Sequence, residues 1–239
     1  MSLVDRAYRS YELWKGDAGI ADEAPARDMF ARELRRAMGT RTGKVLEIGF
    51  GEGRFLDVAK EAGNEVWGLE IVETYVERAK ARGHTALVGT LESAAGVLPH
   101  DFDAVFLFDV FEHMDIEEID AMLSRLVGMT SSNGIVVGRF PNGASPFFGR
   151  NQYGDLTHKS ILSALKMRQL AVLSGWRLAG AYDEIRSHVG ARFWGLPSRA
   201  RLALAKLIGF VVSNAFLGRS HPMAPNLVVH LKRAPDPAP

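Results

Sequence analysis

Along this chain, apolar runs of strand length alternate with segments whose apolar residues return every three or four positions. The runs fall at 45–48, 65–70, 85–89, 103–108, 135–140, 176–184 and 227–231. Helical spacing fills 54–62, 72–82 and 115–127, and in the last of these Ile116, Ile119, Leu123 and Leu126 mark one face. Asp115 precedes that face and Glu118 follows three places later, the spacing of a capping box. Gly63, Gly83 and Gly175 stand where helix C-termini turn left-handed. This alternation predicts an α/β protein, a doubly wound sheet with helices on both faces.

The 239 residues suffice for a single domain over 1–239 with some elaboration. An amphipathic helical extension occupies 1–42 and carries Tyr8, Tyr11 and Trp14. It fits either a helix packed on the sheet or an aromatic lid that excludes water. Composition is that of a soluble globular chain, 47% apolar and 24% charged. A net charge of +1 gives no basic footprint for nucleic acid, so no such partner is expected. The absence of cysteine excludes disulfides, thiolate metal sites and cysteine nucleophiles. The first residues lack the basic start and apolar core of a signal peptide, which makes a cytoplasmic location the default expectation. The ending APDPAP reads as a frayed tail.

Between the first strand and its helix lies EIGFGEGR. Gly49 and Gly51 let a ligand approach the backbone without a Cβ in the way. Glu70, at the end of the second strand, stands where a carboxylate accepts both hydroxyls of a ribose. A dinucleotide loop needs G-x-G-x-x-G. Here the third glycine comes early, at Gly53, and Arg54 fills the dinucleotide position. Glu47 at the strand end would repel a pyrophosphate and suits a cofactor carrying an ammonium and a sulfonium. A nicotinamide-dependent oxidoreductase is disfavoured on both counts.

VLEIGFGEG resembles motif I of the class I S-adenosylmethionine-dependent methyltransferases, and the resemblance runs from Gly43 to Phe140. It implies a Rossmann-like seven-stranded sheet with the last strand antiparallel, and S-adenosyl-L-methionine as cofactor, held by the 43–140 half. Glu47, Gly49, Gly51 and Gly53 would surround its amino-acid part, and Glu70 and Ile71 its ribose. Glu92 would meet the adenine, although Thr90 fills the usual aspartate position.

DVFEHM, past the fourth strand, resembles the D-V-x-E-H segment of O-methylating enzymes that act on quinone precursors and other small molecules. It places Asp109 at the methyl end of the cofactor. His113 is suited to accept a hydroxyl proton near neutrality. Glu112 would bind a substrate hydroxyl or join His113 on a divalent metal. No further carboxylate cluster has ligand spacing, so no metal centre is expected. A purely structural role for His113 stands beside the catalytic one.

The loop 141–160 is rich in Pro, Gly and Asn yet holds Phe147, Phe148 and Tyr153. Long loops within compact domains are usually functional or disordered, and the aromatics argue against disorder. Its P-N-G…G-R…Y-G-D-x-T-H pattern resembles methyltransferases of bacterial surface-polysaccharide synthesis. That implies Asn142, Arg150 and Tyr153 on the acceptor, a sugar of a polysaccharide or lipid-linked intermediate, with Asp155 and His158 as a rival base. The opposing reading has Asp155 as a helix cap and His158 on the surface.

Within the insertion 196–219, the run 202–217 is nearly all apolar behind Arg199 and Arg201, with Lys206 inside it. It falls short of a membrane span. A core helix, a dimer contact or docking through 199–217 on the inner face of an anionic membrane would each bury it. The sequence therefore predicts methyl transfer from S-adenosylmethionine to an acceptor hydroxyl. A cofactor-binding interaction protein without catalysis is the contrasting class.

Overall fold

The computed structural model describes residues 23–94, 96–184, 198–217 and 221–235. In chain order the elements are α1 (Glu23–Met38), β1 (Lys44–Ile48), α2 (Arg54–Glu61), β2 (Glu65–Glu70), α3 (Glu73–Ala81) and β3 (Thr85–Val88). Then come α4 (Leu91–Ala94), β4 (Phe102–Phe108), a 3-10 turn (Phe111–His113), α5 (Ile116–Met129), β5 (Thr130–Pro141) and α6 (Gly149–Tyr153). The remainder is α7 (Ala164–Leu173), β6 (Trp176–Asp183), α8 (Ser198–Leu217) and β7 (Asn226–Arg233).

One seven-stranded sheet runs β3-β2-β1-β4-β5-β7-β6. β1 to β5 are parallel, and β7 lies antiparallel to both β5 and β6. This is the expected Rossmann-like sheet with its last strand reversed. The order reverses direction at β1, so the carboxyl ends of β1 and β4 open the crevice where such sheets take ligands.

Alternate residues of β4 feed two cores. Val105 and Leu107 join Ile119, Leu123 and Leu126 of α5 on one face. Ala104, Phe106 and Phe108 join Phe55 of α2, Val76 of α3 and Leu34 of α1 on the other. Burial on both faces explains why β4 reads as a continuous apolar run. Phe30 of α1 meets Phe55 and Phe108 at centroid distances of 5.8 and 5.0 Å. The described part of the extension is thus a helix packed on the sheet, while Tyr8, Tyr11 and Trp14 lie outside the described residues.

Local signals hold at the helix ends. Asp115 accepts from the Glu118 amide and Glu118 accepts from the Asp115 amide, each at 2.8 Å. Gly63, Gly83 and Gly175 are left-handed, with φ of 87°, 77° and 81°. β5 begins at Thr130, earlier than its apolar run, because Thr130 pairs with Phe102 across an irregular register in β4. A tertiary pairing adds these polar residues, which periodicity alone omits.

In the insertion, α8 presents Leu204, Leu207, Ile208, Phe210 and Val211 to solvent. The side chains of Arg199, Arg201, Lys206 and Phe216 lie outside the described residues. Among the described residues, no helix is long and apolar enough to cross a membrane.

Candidate functional site

The turn after β1 is left-handed at each glycine, with φ of 71° at Gly49, 52° at Gly51 and 73° at Gly53. Side chains there would be strained whatever the space. At Gly49 a Cβ would also approach Val110 to 2.6 Å, so the turn is closed against the segment after β4. Phe50 is buried over Gly68 of β2, where a Cβ would lie 2.7 Å from its ring. On the other side, the Arg82 guanidinium donates to the Glu52 carbonyl. The loop is therefore pinned at both shoulders, and its amides keep one direction.

Glu70 caps this turn. Its Oε2 accepts from the Gly51 amide at 2.8 Å, and its Oε1 accepts from the amides of Ile71 and Val72 at 2.7 and 3.0 Å. Three N–H donors fix the direction of the carboxylate. Ile71 beside it is 52% exposed, an apolar surface at the mouth of the crevice.

Glu47 is a strongly perturbed acid. It is 2% exposed, and its Oε2 has no hydrogen-bond partner. Burial pushes its carboxyl well above the usual range; Glu70 and Asp57 add to this, and Arg139 opposes it. A buried carboxylate short of one partner fits a ligand that brings positive charge, and it fits a pyrophosphate badly. The ammonium and sulfonium of S-adenosylmethionine meet that requirement. Glu47 would hold the charged amino-acid part, Glu70 the ribose hydroxyls and Ile71 an apolar face of the nucleoside.

Asp109 adopts φ 58° at the end of β4. Its carboxylate is bidentate to Arg139 of β5, whose Nη1 also donates to Glu184 at 3.1 Å. Burial alone would lower the Arg139 pKa, but Asp109 and Glu184 outweigh it and hold the guanidinium charged. Its ring contact with Phe108, at 5.4 Å, adds to the clamp. Asp109, expected at the cofactor, thus has an ion-pair role in this structure. Arg139 was missed because one cation inside VVGRFP gives no sequence sign of its partners.

At the acceptor end, the turn Phe111–His113 meets the loop from β5. The amides of Lys159 and Ser160 both donate to the Glu112 carbonyl, at 2.7 and 3.1 Å. This latch brings together Glu112, His113, Asp155 and His158. Rings of His113 and His158 stand 4.7 Å apart, edge to face. Thr157 Oγ1 donates to Asp155 Oδ1 at 2.6 Å, and it lies 2.8 Å from His113 Nδ1. Burial would raise the Asp155 pKa, but the Thr157 hydroxyl and amide and the two imidazoles hold it below the usual carboxylate value. Thr157 is a further residue that the sequence did not single out, since only the fold places it under His113.

Other expectations fare differently. Asn142 is buried, and its amide nitrogen donates to the carbonyls of Pro222 and Ala224 while its oxygen accepts from Ala144. It ties the loop to the approach of β7, a structural role beside the acceptor role expected of it. The Glu92 side chain is 82% exposed and turns toward Arg125. Arg150 and Tyr153 are exposed on the outer rim, where Tyr153 packs on Phe148. Asp155 accepts from the Thr157 amide within its own loop, while the following helix is capped by Ser163, so Asp155 is not the helix cap, and His158 is largely enclosed. Donor atoms of Glu112, His113 and His158 all lie within 4.8 Å of one another. The loop supplies the third donor, His158, beside Glu112 and His113 of the turn.

Residues 46–138 match a protein-family profile described as a methyltransferase domain. Comparison with curated proteins gives no match. Among solved structures, a SAM-dependent methyltransferase from Archaeoglobus fulgidus is 21% identical with a TM-score of 0.61, over 87% of this chain and 94% of that one. Magnesium protoporphyrin IX methyltransferase from Synechocystis PCC 6803, solved with bound SAH, is 15% identical with a TM-score of 0.60 over 95% of both chains. Mitomycin 7-O-methyltransferase is 14% identical with a TM-score of 0.64, over 97% of this chain and 60% of that one. The domain match and the Glu47–Glu70 loop support S-adenosyl-L-methionine as cofactor. The chain has the fold of the class I S-adenosylmethionine-dependent methyltransferases, and residues 46–138 match the methyltransferase domain within it.

Proposed function

We propose that the protein transfers the methyl group of S-adenosylmethionine to a hydroxyl oxygen of an acceptor, and that the acceptor is a sugar. The carrying observation is Glu47, buried with an unpartnered oxygen beside a left-handed glycine turn whose Gly51 amide is tied to Glu70. Bound there, the cofactor supplies an electrophilic methyl group on a cationic sulfur. The chain's own task is then orientation, exclusion of water and removal of one proton.

The Glu112, His113 and His158 cluster stands past β4 and receives the hydroxyl. Asp155, through Thr157, fixes the His113 tautomer with hydrogen on Nδ1, which puts the accepting lone pair on Nε2. That is the arrangement a proton acceptor needs. Support for a sugar comes from the rim: Phe147 and Tyr153 are 56% and 72% exposed, beside the exposed Arg150. Aromatic faces and a guanidinium suit a polyhydroxylated, charged acceptor. The exposed stripe of α8 supports contact with a membrane bearing a lipid-linked acceptor. Liposome flotation of wild type against Leu207→Glu with Phe210→Glu tests this, and equal negligible binding by both would end it.

Calorimetry with S-adenosylhomocysteine and with NADH tests the cofactor. Tight binding of the former is expected, and tight binding of NADH alone would overturn the reading. S-adenosylhomocysteine release over a panel of nucleotide sugars, lipid-linked saccharides and phenolic quinone precursors tests the acceptor. Turnover confined to the phenols would replace the sugar by a quinone-like substrate.

A further inference from the structure

We propose that Glu112, His113 and His158 form a binding site for a first-row divalent cation of the Zn2+ type. Two imidazoles and one carboxylate offer donor atoms within 4.8 Å of one another, from a 3-10 turn and a separate loop. Nitrogen donors of this kind suit zinc, cobalt and nickel; magnesium and calcium want oxygen shells. Three protein ligands leave a fourth position for water or a substrate oxygen.

Tautomers carry the inference further. The carbonyl of Gln152, 3.0 Å from His158 Nδ1, can only accept, so Nδ1 of His158 bears the hydrogen and Nε2 the lone pair. The single hydroxyl hydrogen of Thr157 goes to Asp155 Oδ1, so Thr157 accepts from His113 Nδ1. Both rings thus have Nε2 set as the ligand nitrogen. Each is oriented by a hydrogen bond on its far nitrogen, the arrangement that outer partners give to metal-bound histidine. The Lys159 and Ser160 amides on the Glu112 carbonyl fix the distance between the two segments. Donors around such an ion at about 2.0–2.2 Å sit roughly 3–4 Å apart, so the cluster must draw in by about 1 Å.

The use of the ion rests on the methyl-transfer reading; its binding does not. The acceptor hydroxyl would take the fourth position, where a cation lowers its pKa. Its proton passes to water, the O–CH3 bond forms, and the S–CH3 bond breaks with its electron pair remaining on sulfur. The imidazoles are then ligands, and the cation takes over the role they would have as bases.

The test needs neither donor nor acceptor. Full-length protein stripped by a chelator is titrated with Co2+, followed by visible absorption and calorimetry. One saturable equivalent is expected, displaced by Zn2+ and indifferent to Mg2+. His158→Ala and Glu112→Gln should each weaken it about 100-fold or more, and Thr157→Val about 10-fold. Unchanged S-adenosylhomocysteine binding certifies each variant as folded; if one fails, the others carry the comparison. Absence of saturable binding by wild type, or equal affinity in the folded variants, would overturn the site. Co2+ binding by a protein that ignores S-adenosylhomocysteine would uphold the site and end the methyl-donor reading instead.

Discussion

The two ends of the crevice are built differently. Over residues 44–72, the donor end is one strand, one turn, one helix and the end of the next strand, and its contacts are local. Glu70 reaches the Gly51 amide across adjacent parallel strands, and Phe50 packs on Gly68 between them. The acceptor end joins a turn at Phe111–His113 to a loop after β5, latched through the Glu112 carbonyl. Local construction makes the donor site an almost inevitable product of the β1–α2–β2 unit. Assembled construction makes the acceptor site depend on the whole sheet, where chemistry can vary without disturbing the donor.

Arg139 is where the two ends meet, and removing it is the sharpest way to break the contrast. Its side chain is 12% exposed between Asp109, at the end of β4, and Glu184, after β6. Arg139→Leu leaves two carboxylates facing each other without a cation, a loss of about 3–5 kcal/mol. Chemical denaturation should show one destabilised transition that takes donor binding with it. Loss of acceptor turnover at full stability would mean that the ends are less coupled than the ion pairs indicate.

His230 of β7 sharpens the comparison from the assembled side. It is buried against Tyr182, and burial, with the Arg36 and Lys232 charges, lowers its pKa to about 4. The unfolded chain takes up the proton near 6.5 and the folded chain only near 4. Its stability contribution is therefore whole above 6.5 and is lost as pH falls toward 4, by about 2–3 kcal/mol. Thermal melts across pH 7 to 4 should show the decline, and His230→Leu should flatten it.

Glu47 tests the donor end by separating stability from binding. Its folded pKa is raised, so its contribution is full below the ordinary carboxylate value and lost as pH rises through the folded one. Above that folded value the ionised group is a burden on the free protein. Glu47→Gln should raise the melting temperature of the free protein and weaken S-adenosylhomocysteine by about 2 kcal/mol, roughly 30-fold. A variant equally tight would remove Glu47 from the cofactor.

Legibility followed the same division. Glu47 and Glu70 lie on two neighbouring strands with the three glycines in the turn after the first, so spacing in the sequence carries over to the site. The ends of β1 to β4 fall within a residue or so of the apolar runs. His158 and Thr157 could not be placed beside His113 from spacing, because the Glu112 latch that brings them there is made of backbone groups common to every residue. Asn142 shows the opposite limit: a polar residue in a glycine-rich loop reads as a ligand group, and spacing gives no sign of its carbonyl partners at 222 and 224.

The smallest expected effect lies on the boundary itself. Asp115 caps α5 directly behind Glu112 and His113, and Lys159 of the loop donates to Glu118, the other half of the capping box, at 3.0 Å. Asp115→Ala removes one cap bond, about 1 kcal/mol. Because the cap adjoins the assembled end alone, S-adenosylhomocysteine affinity should hold while the melting temperature falls by a few degrees. Hydrogen exchange at the Lys159 and Ser160 amides should quicken, since the loop hangs on the turn that this cap steadies. Slower donor binding with unchanged exchange would place the cap on the donor's side, and the division between the two ends would have to be redrawn.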